Sequence, residues 1–131
     1  MGELTRREGG CHCGTVRFEV ELPGAIEVEN CNCSICAMSG NLSVIVPERR
    51  FRLLRGEAEL HRYTFNTGIA QHLFCGRCGI KSYYIPRSNP DGVAVTYRCL
   101  DDWRSLDVTI DDFDGVHWEE NAAKVRHKSR E

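Results

Sequence analysis

The stretch Thr15-Val-Arg-Phe-Glu-Val-Glu-Leu22 decides the fold class of this chain. Every second residue is apolar, and in an extended segment alternate side chains point to the same face. The apolar face consists of Val16, Phe18, Val20 and Leu22. The stretch ends at Pro23-Gly24, a dipeptide that marks a turn. The pattern predicts a β-strand with one buried face.

Further short segments along the chain have the same character, with β-branched or aromatic residues between gaps that hold Pro, Gly, Asn and Asp. They are Leu42 to Val46, Arg52 to Leu54, Glu59 to Phe65, Ala70 to Phe74, Lys81 to Ile85, Val93 to Arg98 and Leu106 to Ile110. Helical signal is weak, and its best candidate is Trp118 to Lys128, with room for one or two turns. The sequence predicts a mainly β fold of several short antiparallel strands with little helix.

The composition limits the kind of protein. The chain has 131 residues, a usual size for one domain with its own core, and we predict a single domain over residues 1–131. A formal net charge of −2 gives no excess that would favour nucleic acid or a membrane surface as a partner. Met1 to Gly10 is polar and lacks the apolar run of a signal peptide, and no stretch has the length of a membrane span. We expect a cytoplasmic protein whose thiols stay reduced.

Eight cysteines in a reducing compartment require an explanation. Seven of them form three clusters, and Cys99 stands alone; the clusters are Cys11-His12-Cys13, Cys31-Asn32-Cys33-Ser34-Ile35-Cys36 and Cys75-Gly76-Arg77-Cys78. Buried thiols would be scattered singly among apolar residues, and a disulfide framework suits short secreted chains better. Close cysteine pairs in an intracellular chain are typical of zinc sites. The clusters are therefore predicted to bind zinc.

The clusters can be divided between metal sites in more than one way. One division gives a closed four-sulfur site from Cys11, Cys13, Cys75 and Cys78, and an open three-sulfur site from Cys31, Cys33 and Cys36. It would tie the amino terminus to the middle of the chain, which is the role of a structural metal. Alternatively, the middle cluster could use a histidine, or borrow from the third cluster and leave the first idle. Counting alone leaves these alternatives open.

An open position on zinc has a chemical meaning. It admits water or a substrate atom, and a soft thiolate is a natural fourth ligand beside three others. Zinc also lowers the pKa of a bound thiol, which then reacts as thiolate. The expected substrate is a thiol, and glutathione is abundant in cytosol. Gly14 and Gly79, each directly after a cysteine pair, are expected to allow the positive φ of a tight metal-binding turn.

The three cysteine motifs, taken in series, resemble a known family. Gly10-Cys11-His12-Cys13-Gly14, the Cys31 to Cys36 cluster and Phe74-Cys75-Gly76-Arg77-Cys78-Gly79 are similar in order and spacing to the glutathione-dependent formaldehyde-activating enzymes, over roughly Gly9 to Trp118. Four other segments are most similar to the centromere protein V branch: Tyr63 to Thr67, Ala70 to His72, Pro86 to Pro90 and Arg98 to Asp101. The resemblance implies a β fold similar to methionine sulfoxide reductase B and translationally controlled tumour protein.

The resemblance also implies roles for the ligands. Cys11, Cys13, Cys75 and Cys78 would hold a structural zinc, and Cys31, Cys33 and Cys36 a catalytic zinc completed by the glutathione sulfur. The implied reaction joins glutathione and formaldehyde to S-hydroxymethylglutathione, a carbon–sulfur lyase reaction in reverse. The alternative is a non-catalytic zinc-binding interaction module of the centromere protein V type, with both metals structural. A third option, thiol redox chemistry at Cys75 and Cys78, lacks the expected βαβ context.

A second group of residues has less specific signals. His72 could act as a proton shuttle, but a strand histidine bonded to backbone is the favoured interpretation. His12 is expected to point away from the metal, and Cys99 to be a buried strand residue. Candidate clamps for glutathione carboxylates are Arg87, Arg98 and Lys81. The basic residues of the C-terminal tail are too few for more than weak DNA contact.

Overall fold

Residues 3–130 are described by a computed structural model of the protein. Ten β-strands lie within these residues: β1 Thr5–Gly10, β2 Arg17–Leu22, β3 Ala25–Cys31, β4 Leu42–Pro47, β5 Phe51–Arg55, β6 Leu60–Tyr63, β7 Gln71–Cys75, β8 Tyr83–Ile85, β9 Gly92–Thr96 and β10 Asp107–Phe113. Two short α-helices, α1 Ser34–Ser39 and α2 Trp118–Asn121, and several 3-10 turns complete the described chain. The mainly β prediction is confirmed. None of the helices within residues 3–130 has the length and apolar character needed to cross a membrane.

The strands form two sheets. The smaller sheet has the order β1-β2-β5, and the larger has the order β10-β3-β4-β9-β8-β7-β6. Neighbouring strands are antiparallel with one exception, since β10 runs parallel to β3. The purely antiparallel expectation missed this pair because β3 and β10 are distant in the chain and no turn signal links them. The pairing places Phe113, at the end of β10, beside Cys31, at the end of β3.

The core confirms the alternation from which the fold was predicted. Phe18 and Val20 are completely buried on β2, and the ring of Phe18 packs on Phe51 of the same sheet at 5.3 Å between centroids. It also meets the edge of Tyr83, which belongs to the larger sheet, at 6.3 Å. The buried face of β2 therefore packs against the larger sheet as well as its own. Burial of such side chains contributes roughly 1.5–3 kcal/mol each.

The predicted strand segments all contain a strand, with ends that differ by a few residues. The predicted C-terminal helix is confirmed as α2, followed by 3-10 turns. Two strands and one α-helix were missed: β1, β3 and α1. β1 is largely exposed and charged, so it lacks a regular apolar pattern, and α1 is only six residues long. Short elements of this kind are formed by tertiary contacts and not by their own propensity.

Candidate metal centres

The first and third cysteine clusters meet at one point between the two sheets. Cys11 directly follows β1 of the smaller sheet, and Cys75 is the last residue of β7 in the larger sheet. Together with Cys13 and Cys78, in the turns behind these strands, they place four sulfurs within 4.8 Å of one another. We call this group the four-sulfur site. It joins cysteines that are 62 residues apart in the chain, Cys13 and Cys75.

The two turns of the four-sulfur site have related backbone conformations. Gly14 has φ 81° and Gly79 has φ 77°, so the predicted positive φ is confirmed at both positions. Glycine adopts this region without the steric cost of a Cβ. The turns direct backbone N–H groups at two sulfurs: Val16 N lies 3.2 Å from Cys11 Sγ, and Arg77 N lies 3.4 Å from Cys75 Sγ. Such N–H groups stabilise thiolate charge.

The sulfur spacing fits a tetrahedral metal. The Sγ atoms of Cys11 and Cys13 are 3.6 Å apart, and those of Cys13 and Cys75 are 3.7 Å apart. Four thiolates bound to one zinc at about 2.3 Å would lie roughly 3.8 Å from each other. The donor set and its spacing therefore suit a closed zinc site with four cysteine ligands.

The middle cluster forms a second group at the end of β3. Cys31 is the last residue of β3, Cys33 caps the amino end of α1, and Cys36 lies on α1 with 5% exposure. Their three sulfurs lie within 4.8 Å of one another, and among residues 3–130 no histidine or carboxylate joins the cluster. We call this group the three-sulfur site. Its donor set suits a soft metal such as zinc with one position left for another ligand.

Neighbouring residues hold the three-sulfur site in place. The hydroxyl of buried Tyr84, on β8, lies 3.9 Å from Cys36 Sγ and 3.5 Å from the Ser43 hydroxyl. Gly115, two residues after β10, packs so closely on the cysteines that a Cβ there would lie 2.5 Å from Cys31 Sγ and 3.0 Å from Cys33 Cβ. Only a residue without a side chain fits beside these two cysteines. The site is thus enclosed by strands of the larger sheet and the segment after β10.

The thiols of the three-sulfur site differ in pKa. Hydrogen bonds from Cys31 and Cys36 hold the pKa of Cys33 far below its ordinary value. The same interaction with Cys33 raises the pKa of Cys31 well above the ordinary range. One sulfur of the group is therefore ready to be a thiolate, the form that binds metal.

A cavity of about 390 Å³ opens beside the three-sulfur site, and all three cysteines line it. Most of its wall is apolar, and it reaches from α1 to the loop after β6 and to α2. Ligand-binding sites are commonly cavities of this size, with apolar walls and a few convergent polar groups. The four-sulfur site does not line this cavity. All three cysteines of the three-sulfur site line this cavity, whereas Cys11 of the four-sulfur site lines a different hollow.

A row of stacked rings follows one wall of the cavity. Phe65 stacks on His72 at 5.7 Å, and His72 stacks on Tyr84 at 5.2 Å. Nδ1 of His72 lies 3.2 Å from the Lys81 ammonium, which itself lies 4.4 Å from the centre of the Tyr84 ring. Burial, and then the charge of Lys81, lowers the pKa of His72 to about 4. The His72 ring is therefore neutral at pH 7 and accepts a hydrogen bond at Nδ1 from Lys81.

The structure separates the three candidate clamps. Arg87 lines the cavity of the three-sulfur site, where its guanidinium stacks 3.6 Å from the centre of the Trp118 ring and reaches Glu119. Arg98 and Lys81 instead line a second hollow, beside Cys11. Of the candidate clamps, Arg87 alone lines the cavity at the open sulfurs.

The remaining candidates lie apart from both sulfur groups. His12 is exposed and belongs to neither group, in agreement with its predicted direction. Cys99 also lies outside both groups, in a 3-10 turn and not in the predicted strand, and burial raises its pKa to about 11. His72 is buried, and its ring is bonded to Lys81 and not to backbone as the favoured interpretation had it.

Sequence reasoning missed residues that contact the three-sulfur site from distant parts of the chain. Tyr84 and Gly115 carry no motif, and their roles depend on strand neighbours that no local pattern identifies. Asn32 had a weak signal, since it lies between two cysteines of the middle cluster. Its side chain accepts from Val116 N at 2.9 Å and donates to Asp114 at 3.1 Å, which ties the cysteine turn to the segment after β10.

The β fold and the two sulfur groups together define a class of small β proteins with two cysteine groups that could each hold a metal ion. Comparison with known proteins gives the family: the model of the glutathione-dependent formaldehyde-activating enzymes matches residues 6–115. The chain belongs to this family. Its matched region contains both cysteine groups.

The individual proteins that are similar to this chain include one curated relative and one solved structure. A Halomonas elongata protein, whose provisional name is glutathione-dependent formaldehyde-activating enzyme, is 32% identical, with 54% of this chain and 50% of that protein covered. The chain thus spans about half the length of that curated relative. A crystal structure of a Rhodobacter sphaeroides protein is 38% identical, with a TM-score of 0.68, and covers 72% of this chain and 88% of that chain.

Proposed function

We propose that this protein is a zinc-dependent enzyme that adds the thiol of glutathione to formaldehyde, giving S-hydroxymethylglutathione, and catalyses the reverse carbon–sulfur cleavage. The observation that carries the proposal is the three-sulfur site, which opens to a cavity and which no further histidine or carboxylate among residues 3–130 joins. Family membership supports glutathione-dependent formaldehyde activation as the reaction class. A reducing compartment, the cytoplasm, is the location that suits both thiol groups.

The two sulfur groups have different proposed roles. Cys11, Cys13, Cys75 and Cys78 would hold a structural zinc, and Cys31, Cys33 and Cys36 would hold a catalytic zinc. Zinc in the three-sulfur site would accept the glutathione sulfur at its open position and keep it as thiolate. Arg87 is the proposed partner of a glutathione carboxylate, because its guanidinium lies at the cavity wall and offers paired N–H donors.

The residues around the site supply positioning and exclusion of water. The Tyr84 hydroxyl supports Cys36, and Gly115 allows the segment after β10 to close over Cys31. The apolar wall limits the water that could compete for the aldehyde carbon. Neutral His72 has its proton on Nε2, since Nδ1 accepts from Lys81. It can therefore donate a hydrogen bond to the oxygen that becomes the hydroxyl group.

The test compares Cys33→Ser with the wild-type protein in zinc content and in turnover of glutathione with formaldehyde. We expect the variant to fold, to retain one zinc of two, and to lose turnover by at least a hundredfold. Cys99→Ser, which lies outside both sulfur groups, is the matched control and should keep both metals and turnover. Unchanged turnover in Cys33→Ser would contradict the proposal and favour the interaction-module alternative.

A further inference from the structure

The cavity beside the three-sulfur site has more apolar wall than a one-carbon adduct can use. Its lining side chains include aliphatic and aromatic groups from four separate parts of the chain: Ile35, Ile45, Phe65, and the group Phe113, Val116 and Trp118. The cavity volume is about 390 Å³. A water molecule, with one heavy atom, takes roughly 30 Å³ of liquid volume, and a hydroxymethyl group has only two heavy atoms. Formaldehyde therefore leaves most of this space unexplained.

The peptide of glutathione does not explain the apolar wall either. Glutathione carries two carboxylates and one ammonium group. Moving such charged groups from water to an apolar surface costs free energy. Among the described residues that line the cavity, Arg87 is the only lysine or arginine, and 26% of its side chain is exposed. A carboxylate paired with Arg87 would remain in contact with solvent. The apolar surface is left for a different part of the ligand.

The apolar surface also continues to the opening of the cavity. Phe65 is 39% exposed and Val116 is 65% exposed, although both line the cavity. When a hydrophobic ligand covers exposed apolar groups at the edge of its site, the burial favours binding by about 25 cal/mol per Å². A ligand with an apolar chain would cover both residues, and a hydroxymethyl group would not reach across the cavity.

We propose that this site also accepts aldehydes larger than formaldehyde, with an aliphatic or aromatic group that fills the apolar part of the cavity. This inference rests on the proposed thiol addition and extends its substrate class. In the reaction, the glutathione sulfur forms a bond to the aldehyde carbon, and the π bond of the carbonyl group breaks. The thiol proton ends on the carbonyl oxygen, so the product is a hemithioacetal and no oxidant or reductant is needed.

The test measures exchange between glutathione and its hemithioacetal by NMR, with formaldehyde, propanal and hexanal at equal aldehyde and glutathione concentrations. Each buried methylene group is worth about a fourfold increase in affinity. We therefore expect kcat/KM for hexanal to exceed that for propanal by at least tenfold. Equal values for hexanal and propanal would overturn the inference.

Two variants locate the effect in the cavity. Val116→Thr keeps the shape of an exposed residue and makes the wall polar, so the ratio of kcat/KM for hexanal to that for formaldehyde should fall several-fold. Ile110→Thr is the control, because Ile110 is 52% exposed and does not line the cavity. It should leave the ratio unchanged. An unchanged ratio in Val116→Thr would overturn the inference.

The outcomes also separate this inference from the proposed function. If formaldehyde is turned over but kcat/KM for hexanal does not exceed that for propanal, the proposed function is supported and the larger aldehyde is rejected. Turnover of hexanal without turnover of formaldehyde would support the inference and correct the substrate of the proposed function. No acceleration with any of the three aldehydes would reject both.

Discussion

The four-sulfur and three-sulfur sites are both built from closely spaced cysteines but are placed differently in the fold. The four-sulfur site joins Cys11 behind the smaller sheet to Cys75 at the end of a strand in the larger sheet. The three-sulfur site is local, since Cys31, Cys33 and Cys36 lie within one strand end and one helix. A metal in the first group would stabilise the pairing of the sheets, and a metal in the second would mainly bind ligand. The proposed structural site is thus the one that joins distant parts of the chain, and the proposed catalytic site is the one that does not.

The largest expected effect comes from breaking the four-sulfur site. Cys75 is completely buried, and Cys75→Ser would remove one ligand and leave the others without a tetrahedral set. Structural zinc contributes about 10–16 kcal/mol in isolated zinc-finger peptides. This chain has a core of its own, so we expect a smaller loss, on the order of 5 kcal/mol. Denaturant unfolding with zinc analysis measures it.

The matched variant for this comparison is Cys33→Ser in the three-sulfur site. We expect it to lose one zinc while its free energy of unfolding falls by less than half as much as in Cys75→Ser. If the two substitutions destabilise the fold equally, the distinction between a structural site and a ligand-binding site is wrong.

The next effect concerns His72, on the strand that runs from the cavity wall to Cys75. Its pKa is lowered to about 4 by burial and by Lys81, whereas an unfolded histidine has a pKa near 6.5. Between these values the unfolded state binds more protons, so the stability contributed by neutral His72 is lost as the pH falls from 6.5 to 4. The loss amounts to at most about 3 kcal/mol at pH 4.

The measurement is the free energy of unfolding of the wild-type protein and of His72→Gln between pH 7 and pH 4. Acid also releases metal from thiolates, but it does so in both proteins. We therefore expect the difference between the two proteins to change in favour of the variant as the pH falls. A constant difference would show that His72 has an ordinary pKa.

A smaller effect is expected at Gly115, which tests the three-sulfur site without changing a ligand. The Cβ of Gly115→Ala would lie 2.5 Å from Cys31 Sγ, so the segment after β10 or the cysteine must move. Overpacking of this kind costs about 1–3 kcal/mol. We expect loss of the zinc held by Cys31, Cys33 and Cys36, with the zinc of the four-sulfur site retained.

The matched control for this substitution is Gly24→Ala. No atom lies within 4 Å of a Cβ at Gly24, and its φ is not in the positive region. Metal analysis should find both zinc ions in Gly24→Ala. Two zinc ions in Gly115→Ala as well would mean that the close approach to Cys31 does not constrain the site.

The sequence predicted the fold class and the grouping of the cysteines for different reasons. The fold followed from alternation around Phe18, which is a local pattern, and the core confirms it. The cysteine clusters are also local, but their pairing is not, and counting left it open until the resemblance implied it. The structure brings Cys11 and Cys75 together, which the spacing of each cluster could not predict.

The parts of the candidate site that were missed depend on long-range packing. Gly115 reaches Cys31 because β10 pairs in parallel with β3, and no turn signal connects those strands. Tyr84 reaches Cys36 across the larger sheet, although its own strand is only three residues long. Such contacts depend on which strands are neighbours, and the strand order of the larger sheet is not encoded in any one segment.

The smallest predicted effect is a difference in the rate of metal loss between the two sites. The four-sulfur set offers a closed shell with four sulfurs, whereas the three-sulfur set leaves a position where a chelator can attack. We expect a colorimetric chelator to remove zinc from the wild-type protein in two phases whose rates differ at least tenfold. The fast phase should carry half of the metal.

The phases are assigned with a thiol ligand and with a variant. Glutathione at millimolar concentration should slow the fast phase, because its sulfur would occupy the open position, and should leave the slow phase unchanged. Cys33→Ser should lack the fast phase. A single phase in the wild-type protein, or a slow phase that glutathione alters, would mean that both sites are equally open. The rates of zinc removal therefore test the proposal of one closed and one open site as directly as the geometry of the sulfurs does.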